Sequence, residues 1–394
     1  MSTSDVVVVG AGIVGCATAW ECARRGLSVV LVDRGEVSGG TTGLGEGNVL
    51  CSDKDTGPEL ALTVLGRELY AELDDVIGPA ARIRRKGALI VHPDERTWAG
   101  EAQRAQRLRA AGVACTLLEG ADAVRAAEPQ LTGAVLGALH VAGDLQCDPR
   151  AIARALAGRA AELGAEVRTG AEVAEVVVAD GDGAPRATGV RLSCGEVLGA
   201  GAVVLAAGPW TRPLAEGIGI ALPLEPRKGQ LTRLLLPTPD ERWLRHKIVD
   251  GSYLLSVTSA AAGREVSTVI ETTHDGHLIV GSTRERCGFD PAVDQALEDE
   301  VRARAARLVP GITGLARDTA WVGFRPWLPD HLPAIGSSAA VDGVWLATGH
   351  EGAGVALGPI TGRIVAGAIA GEPAPLDLAP FAPDRFAVAP AVTS

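Results

Sequence analysis

The turn Gly10-Ala11-Gly12-Ile13-Val14-Gly15 constrains this chain more than any other stretch. Before it runs Asp5-Val6-Val7-Val8-Val9, a β-branched apolar run of the kind buried on both faces of a parallel sheet. After it comes a helical stretch, Cys16 to Arg25, closed by Gly26. Leu27 to Val32 reads as a second strand, ending at Asp33 with Arg34 beside it. Strand, G-x-G-x-x-G turn, helix, second strand and an acid about twenty positions on are the parts of a dinucleotide-binding unit. Gly10 allows the tight turn, Gly12 lets backbone approach a pyrophosphate, and Gly15 lets the helix pack on the strand. The helix start offers unpaired N–H groups to phosphates, and Asp33 offers acceptors to ribose hydroxyls.

Residues 34–52 hold glycines and small hydroxyls with almost nothing to bury, including Thr41, Thr42, Glu46, Gly47, Asn48 and Val49. Their place after the second strand suits a loop that wraps a phosphate or sugar, against the alternative of a flexible surface loop. With 394 residues the chain is long for one core, so two domains are expected. A net charge of −11 argues against nucleic acid as a partner. Seven scattered cysteines without C-x-x-C spacing suit reduced thiols, and no metal site is expected. The start lacks a basic n-region and no apolar run approaches the ~20 residues of a membrane span, so a cytoplasmic protein without a transmembrane segment is expected.

Further along, helices are expected over 57–78, 94–111, 121–127 and 149–163, and strands over 86–91, 165–169, 171–179 and 187–193, with a turn at 180–183. Ala202 to Trp210 reads as a buried strand running into Gly208, a return to the nucleotide sheet. Segments 230–235, 253–257, 266–270 and 277–280 read as successive strands without helices between them, hence an antiparallel sheet. A helix over 291–308 follows, stopped by Pro310-Gly311. The end returns to strand 344–348, a second glycine-rich turn over 349–354, and a helix from Val355 to Ala370; the tail 372–394 is expected to lie over the surface.

Four blocks together give the chain a family likeness: Val8 to Gly15; Gly40-Thr41-Thr42 with Gly45-Glu46-Gly47-Asn48; Val203 to Trp210; and Gly323-Phe324-Arg325-Pro326 through Gly336 to Gly349-His350-Glu351-Gly352. The chain resembles the D-amino-acid-oxidase superfamily of FAD-dependent oxidoreductases, nearest to glycine and sarcosine oxidases and to hydroxyproline/proline dehydrogenase catalytic subunits. The resemblance implies an α/β fold with an α+β substrate domain. A Rossmann-like FAD-binding domain (1–85, 143–225, 318–394) would join a substrate-binding domain (86–142, 226–317) on a mainly antiparallel sheet. It implies FAD, with Thr41 and Thr42 at the pyrophosphate, Val173 at the adenine through its backbone, and Ala207, Gly208 and Trp210 lining the cofactor. Backbone N–H groups of Gly349, Gly352, Ala353, Gly354 and Val355 would face the flavin's N1–C2 edge. Some members attach FAD through histidine or cysteine. Loop 38–50 has no histidine and no cysteine follows Cys287, so non-covalent FAD is expected.

The resemblance also places Arg325 where glycine-oxidase-like enzymes hold the substrate carboxylate, beside the cofactor; a guanidinium fork suits that geometry, although many arginines only form ion pairs. His350 and Glu351 either position an amine or pack; Glu46 either reaches the same cavity or orders its loop; Tyr253 either closes the pocket or is a core strand residue. The expected reaction is oxidation of an amino acid's C–N bond, a secondary amine preferred, by hydride transfer to flavin N5 and imine hydrolysis. Orientation and electrostatics would do the protein's work, without an obligatory base. O2 or another acceptor takes the electrons, and the resemblance admits a homo-oligomer or an iron–sulfur partner subunit. The alternatives are a flavoprotein subunit of an electron-transfer complex and an NAD(P)-dependent dehydrogenase.

Overall fold

The computed structural model describes residues 3–131, 135–180, 185–257 and 264–387, with backbone alone over 255–257. One eight-stranded sheet has the order Ala334–Ser337, Val344–Thr348, Val197–Leu205, Thr3–Val9, Val29–Val32, Glu166–Arg168, with the hairpin Val173–Ala179/Arg186–Leu192 hung on Val197–Leu205. The four pairings that link 344–348, 197–205, 3–9, 29–32 and 166–168 are parallel; the pair 334–337/344–348 and the hairpin's pairings, 186–192 with 197–205 and with 173–179, are antiparallel. The opening valines explain this placement: Val6 and Val8 pack on one face, Val7 and Val9 on the other, so a strand apolar on both sides ends up central.

The helices Ile13–Arg24 and Gly354–Ile369 cross on one face of this sheet. Their contact is close because Gly358 and Gly362 bear no side chain; a Cβ on Gly362 would sit 2.6 Å from the backbone of Ala17 and Thr18. Taken with its first turn, Glu351–Ile369 is apolar and long enough to cross a membrane, but 67% of it is buried inside the protein.

The second eight-stranded sheet runs Ala316–Trp327, Glu225–Leu235, Leu278–Arg284, Glu265–Thr272, Lys247–Asp250, Ala88–His92, Gly137–Val141, Thr116–Glu119. All pairings are antiparallel except 247–250 with 88–92. A two-stranded piece, Asn48–Val49 with Leu145–Gln146, ties the loop after the second strand to the stretch before helix Pro149–Glu162.

Several expectations change. Residues 253–257 form the helix Ser252–Val257, not a strand: the Asp250 carboxylate accepts the Ser252 N–H and turns the chain out of the sheet. The helix expected over 94–111 breaks into Glu95–Trp98 and Glu101–Ala110, because Gly100 takes φ +93° between them. The helix expected from 291 starts at Gln295, where Asp294 accepts the N–H groups of Ala296 and Leu297. The strand Ala316–Trp327 escapes a reading by pattern, since Gly323 and Pro326 interrupt it; it pairs along its length with 225–235. The boundary expected at 317/318 therefore falls inside a strand of the second sheet. The turn at 180–183 lies, beyond Asp180, outside the described residues. The tail is more than a surface strap: Phe381 is fully buried in the helix-covered core.

Candidate active site

Between the two sheets lies a cavity of about 910 Å³, a size suited to a large cofactor together with a small substrate. One wall comes from the first sheet. Gly10, at φ +108°, approaches Ala206 so closely that a Cβ would meet its carbonyl oxygen at 2.5 Å. Gly15 stays outside the cavity and does the packing expected of it; a Cβ there would sit 1.8 Å from the Gly10 carbonyl oxygen. The helix Ile13–Arg24 starts without a side-chain cap from its own Gly12, and the Thr42 hydroxyl accepts the Ile13 N–H at 3.0 Å. Asp33 accepts the Ala11 N–H at 2.6 Å through one oxygen and the Gly35 N–H at 2.7 Å through the other, so it shapes the turn while lining the cavity. Arg34 lies 4.5 Å over the Trp210 ring.

Loop 38–47 is stitched to the second sheet. The Thr41 hydroxyl donates to the Phe324 carbonyl at 2.6 Å, and the Trp321 indole N–H donates to the Leu44 carbonyl at 3.0 Å. That excludes the free surface loop. It also commits the Thr41 hydroxyl to protein, leaving Thr42 and the loop backbone nearer the helix start.

Opposite stands a wall of charge. Arg325 lies half-buried on Ala316–Trp327 and donates from Nη1 to the Thr283 carbonyl at 3.0 Å. Its guanidinium occupies the space over Gly229, where a Cβ would come within 2.1 Å of Nη1. Burial and the nearby Arg284 guanidinium lower it to about 10, still charged at neutral pH. Arg284 lies 4.4 Å over the Tyr253 ring, and Tyr253 lines the cavity from its helix. Glu351, at φ +45°, receives the Arg227 guanidinium at 2.7 Å and pairs with His331 at 3.1 Å. Burial alone would raise the Glu351 carboxyl, but these two partners and Arg284 hold it down at about 2. His350 is buried, its Nε2 lies 3.0 Å from the Thr361 hydroxyl, and burial lowers it to about 3; it is a neutral wall residue satisfied by a neighbour.

Glu46 joins a buried network behind the cavity. Its Oε2 receives Lys247 Nζ at 2.5 Å and the Asn48 amide at 3.1 Å. Asn48 and Gln146 both donate to Glu271, which burial raises. Lys86, donating to the Thr272 carbonyl at 2.6 Å, is lowered by burial to about 7.

All five side chains singled out for catalysis or substrate binding (Arg325, His350, Glu351, Glu46 and Tyr253) line this one cavity. So do Gly10, Gly12, Ile13, Val14, Asp33, Arg34, Thr41, Thr42, Val173, Ala207, Gly208, Trp210, Gly352, Gly354 and Val355. Gly15, Gly47, Asn48, Val49, Gly349 and Ala353 do not. Gly47 takes φ +86° against Cys147, Val49 is core, and Gly349 takes φ +83° against Leu328, so these three shape the approach to the cavity. Sequence reading missed Gly229, Leu231, Val269 and Ser282. For Gly229 a signal existed: a glycine inside a strand marks close approach of another group.

The cradle fits FAD. Two helix starts open into the cavity: the one at Gly354 has no side-chain cap and the one after Gly12 is met by a single hydroxyl, that of Thr42 on the Ile13 N–H, and glycines on both leave room for a ligand against the backbone. Among the described residues, no cluster of three or more His, Cys, Asp or Glu could hold a metal ion.

Comparison with known proteins agrees. The chain is 31% identical over 385 residues to a glycine oxidase of Pseudomonas aeruginosa, covering 96% of this chain and 98% of that one. The crystal structure of glycine oxidase from Geobacillus kaustophilus superposes with a TM-score of 0.84 at 27% identity, covering 97% of this chain and 98% of that one. Iminodiacetate oxidase from Chelativorans sp. BNC1 gives 0.81 at 26% identity, covering 96% and 98%. The family described as FAD dependent oxidoreductase, DAO, matches residues 5–368, which removes the NAD(P) reading of the first glycine turn. The chain belongs to the DAO family of FAD-dependent oxidoreductases.

Proposed function

We propose that this enzyme oxidises the C–N bond of a small α-amino carboxylate, secondary amines included, with FAD held non-covalently. The observation that carries this reading is the Arg325 guanidinium, set in the cavity wall beside Gly352, whose Cβ would lie 3.9 Å from the arginine's Cδ and Nε. A carboxylate bound there sits next to the uncapped helix start at 354, where the reactive part of a flavin is best stabilised. FAD, when bound, supplies the acceptor for two electrons and a hydride. Arg325 binds and orients the carboxylate; Leu231, Val269 and Leu44 exclude water from the same compartment. The Arg227–Glu351–His331 chain fixes the turn that leads into the helix. The first sheet would centre the nucleotide domain and the second the substrate domain, with the strand to Trp327 assigned to the latter. All seven cysteines are free, in keeping with a reducing, cytoplasmic setting.

The test is direct. FAD is expected to co-purify, to leave the protein on acid precipitation, and to bleach anaerobically when D-, L- or N-alkyl α-amino acids are added. Peroxide formation by the lone chain marks an oxidase; activity only with a dye or a partner marks a dehydrogenase subunit. A protein that neither contains nor binds FAD, or is bleached only by amines lacking a carboxylate, refutes the reading.

A further inference from the structure

The helix Gly354–Ile369 carries a proline, Pro359, inside its run. A proline within a helix has no N–H, so the carbonyl four residues earlier loses its donor and is crowded by the ring. Here that carbonyl belongs to Val355, the second residue of the helix and part of the cavity wall. The bond that Pro359 withholds is therefore missing from the very turn that opens into the cavity.

A donor comes from outside the helix. The Tyr70 hydroxyl donates to the Val355 carbonyl at 2.5 Å, and Tyr70 is fully buried. Burial holds its phenol well above the usual value, so the hydroxyl keeps its proton. Tyr70 lies on the helix Pro58–Ile77, one turn beyond Gly66 on the same face. Gly66 lets the two helices touch there: a Cβ on it would run into the Ala356 carbonyl oxygen. On another side Gly358 seats the turn against the start of the helix Ile13–Arg24, where a Cβ would lie 3.0 Å from Ile13. Tyr70 itself stands outside the cavity lining.

Resting on the placement of the flavin's reactive part at this helix start, we propose that Tyr70 is a positioning residue for the cofactor: its hydroxyl replaces the hydrogen bond that Pro359 withholds and holds the first turn, with its N–H groups, against the flavin. Without the hydroxyl, the first turn contains a buried carbonyl that has lost its donor. The carbonyl regains a partner by tilting outward, which opens the helix at Pro359 and swings the first-turn N–H groups away from the cavity. Those groups carry the partial positive charge that favours the negative charge a flavin takes on when reduced. The loss therefore shows in the potential of the bound flavin, which a tyrosine that only packed would leave alone.

Tyr70→Phe removes the hydroxyl and keeps the ring. Reductive titration of the FAD-loaded protein against a reference dye, without any amino acid, reads the flavin midpoint. The reduced flavin is expected to be favoured about fivefold less than in wild type, a midpoint about 20 mV more negative. Pro359→Ala restores an N–H at 359, and Tyr70→Phe/Pro359→Ala is expected to return the midpoint ratio to within twofold of wild type. If Tyr70→Phe fails to retain FAD, recovery of FAD binding in the double variant reads the same repair, and its absence overturns the proposal. An unchanged flavin midpoint in Tyr70→Phe, even with unfolding at lower urea, overturns it in favour of a purely structural tyrosine. A shift that Pro359→Ala leaves in place also overturns it, because the hydroxyl then acts elsewhere than at Val355. Wild-type protein that binds no FAD overturns this proposal and the proposed function together. A midpoint that shifts and recovers as expected, in a flavin that no amino carboxylate bleaches, supports the role of Tyr70 and removes the proposed function.

Discussion

The two walls of the cavity are made of different material. On the first-sheet side the ligand would meet backbone: Gly10, Gly12 and two helix starts, one without a side-chain cap and one met only by the Thr42 hydroxyl. On the second-sheet side it would meet charged side chains, Arg325 and Glu46, braced by Arg227, Glu351 and Lys247. The first wall gains its shape from the absence of side chains, and at Gly10 a Cβ would run into backbone. The second gains its shape from charges that hold one another in place, so it should fail by degrees and with pH.

The sharpest break between the walls is expected from Gly15→Ala. The added Cβ would lie 1.8 Å from the Gly10 carbonyl oxygen, backbone against backbone, with no flexible side chain to yield. The helix must tilt off the strand and the phosphate-facing turn opens. The purified protein is expected to carry no FAD and to unfold at much lower urea. A variant with full flavin content would break the distinction drawn between the walls.

Arg325→Ala comes next. The fold should survive, because the side chain fills space over Gly229 and donates to one carbonyl, yet kcat/KM for an amino carboxylate is expected to fall about 10³-fold, from a loss of about 4 kcal/mol. Lysine should not restore it, since a point charge cannot present the paired donors of a guanidinium. A KM unchanged in Arg325→Ala would remove the arginine from the substrate site.

This contrast also explains what could be read from sequence. Most of the first wall is local: Gly10, Gly12 and Asp33 line it and Gly15 packs behind it, all within one strand–helix–strand unit, where spacing encodes geometry. The second wall draws Glu46, Arg227, Lys247, Arg284 and Arg325 from four strands and a loop, and only tertiary pairing brings them together. Arg325 was legible through the motif around it, whereas its strand was not, because Gly323 and Pro326 mimic a turn. Gly323 is there for close approach to Leu44, a contact from nearly three hundred residues away in sequence. Tyr253 was legible as a candidate but on the wrong element, since its apolar neighbours suit a strand as well as a short helix.

The bracing charges allow a pH test. In the unfolded chain Glu351 titrates near 4.5; in the folded protein it is held at about 2 by His331 and Arg227 against the effect of burial. Because its folded value is depressed, the stability it contributes is complete above about 4.5 and is lost as pH falls toward 2, a contribution of about 3 kcal/mol. Glu351→Gln should therefore be less stable than wild type at pH 7, with the gap in urea midpoint closing between pH 4.5 and 2.5. A gap that stays constant with pH would mean that packing, rather than charge, holds this turn.

The smallest effect is expected where the backbone wall does use a side chain. Thr42→Val keeps shape and removes the hydroxyl that accepts the Ile13 N–H at 3.0 Å. A lost helix-start bond costs about 1 kcal/mol, which corresponds to about fivefold in affinity. Flavin titration of the apoprotein should show FAD binding weakened by that factor, with substrate KM unchanged once FAD is saturating. The change is slight because Gly12 and the open helix start still present their N–H groups to the phosphates. If Thr42→Val instead abolishes FAD binding, the hydroxyl rather than the backbone carries that wall, and the contrast between the two sides of the cavity dissolves.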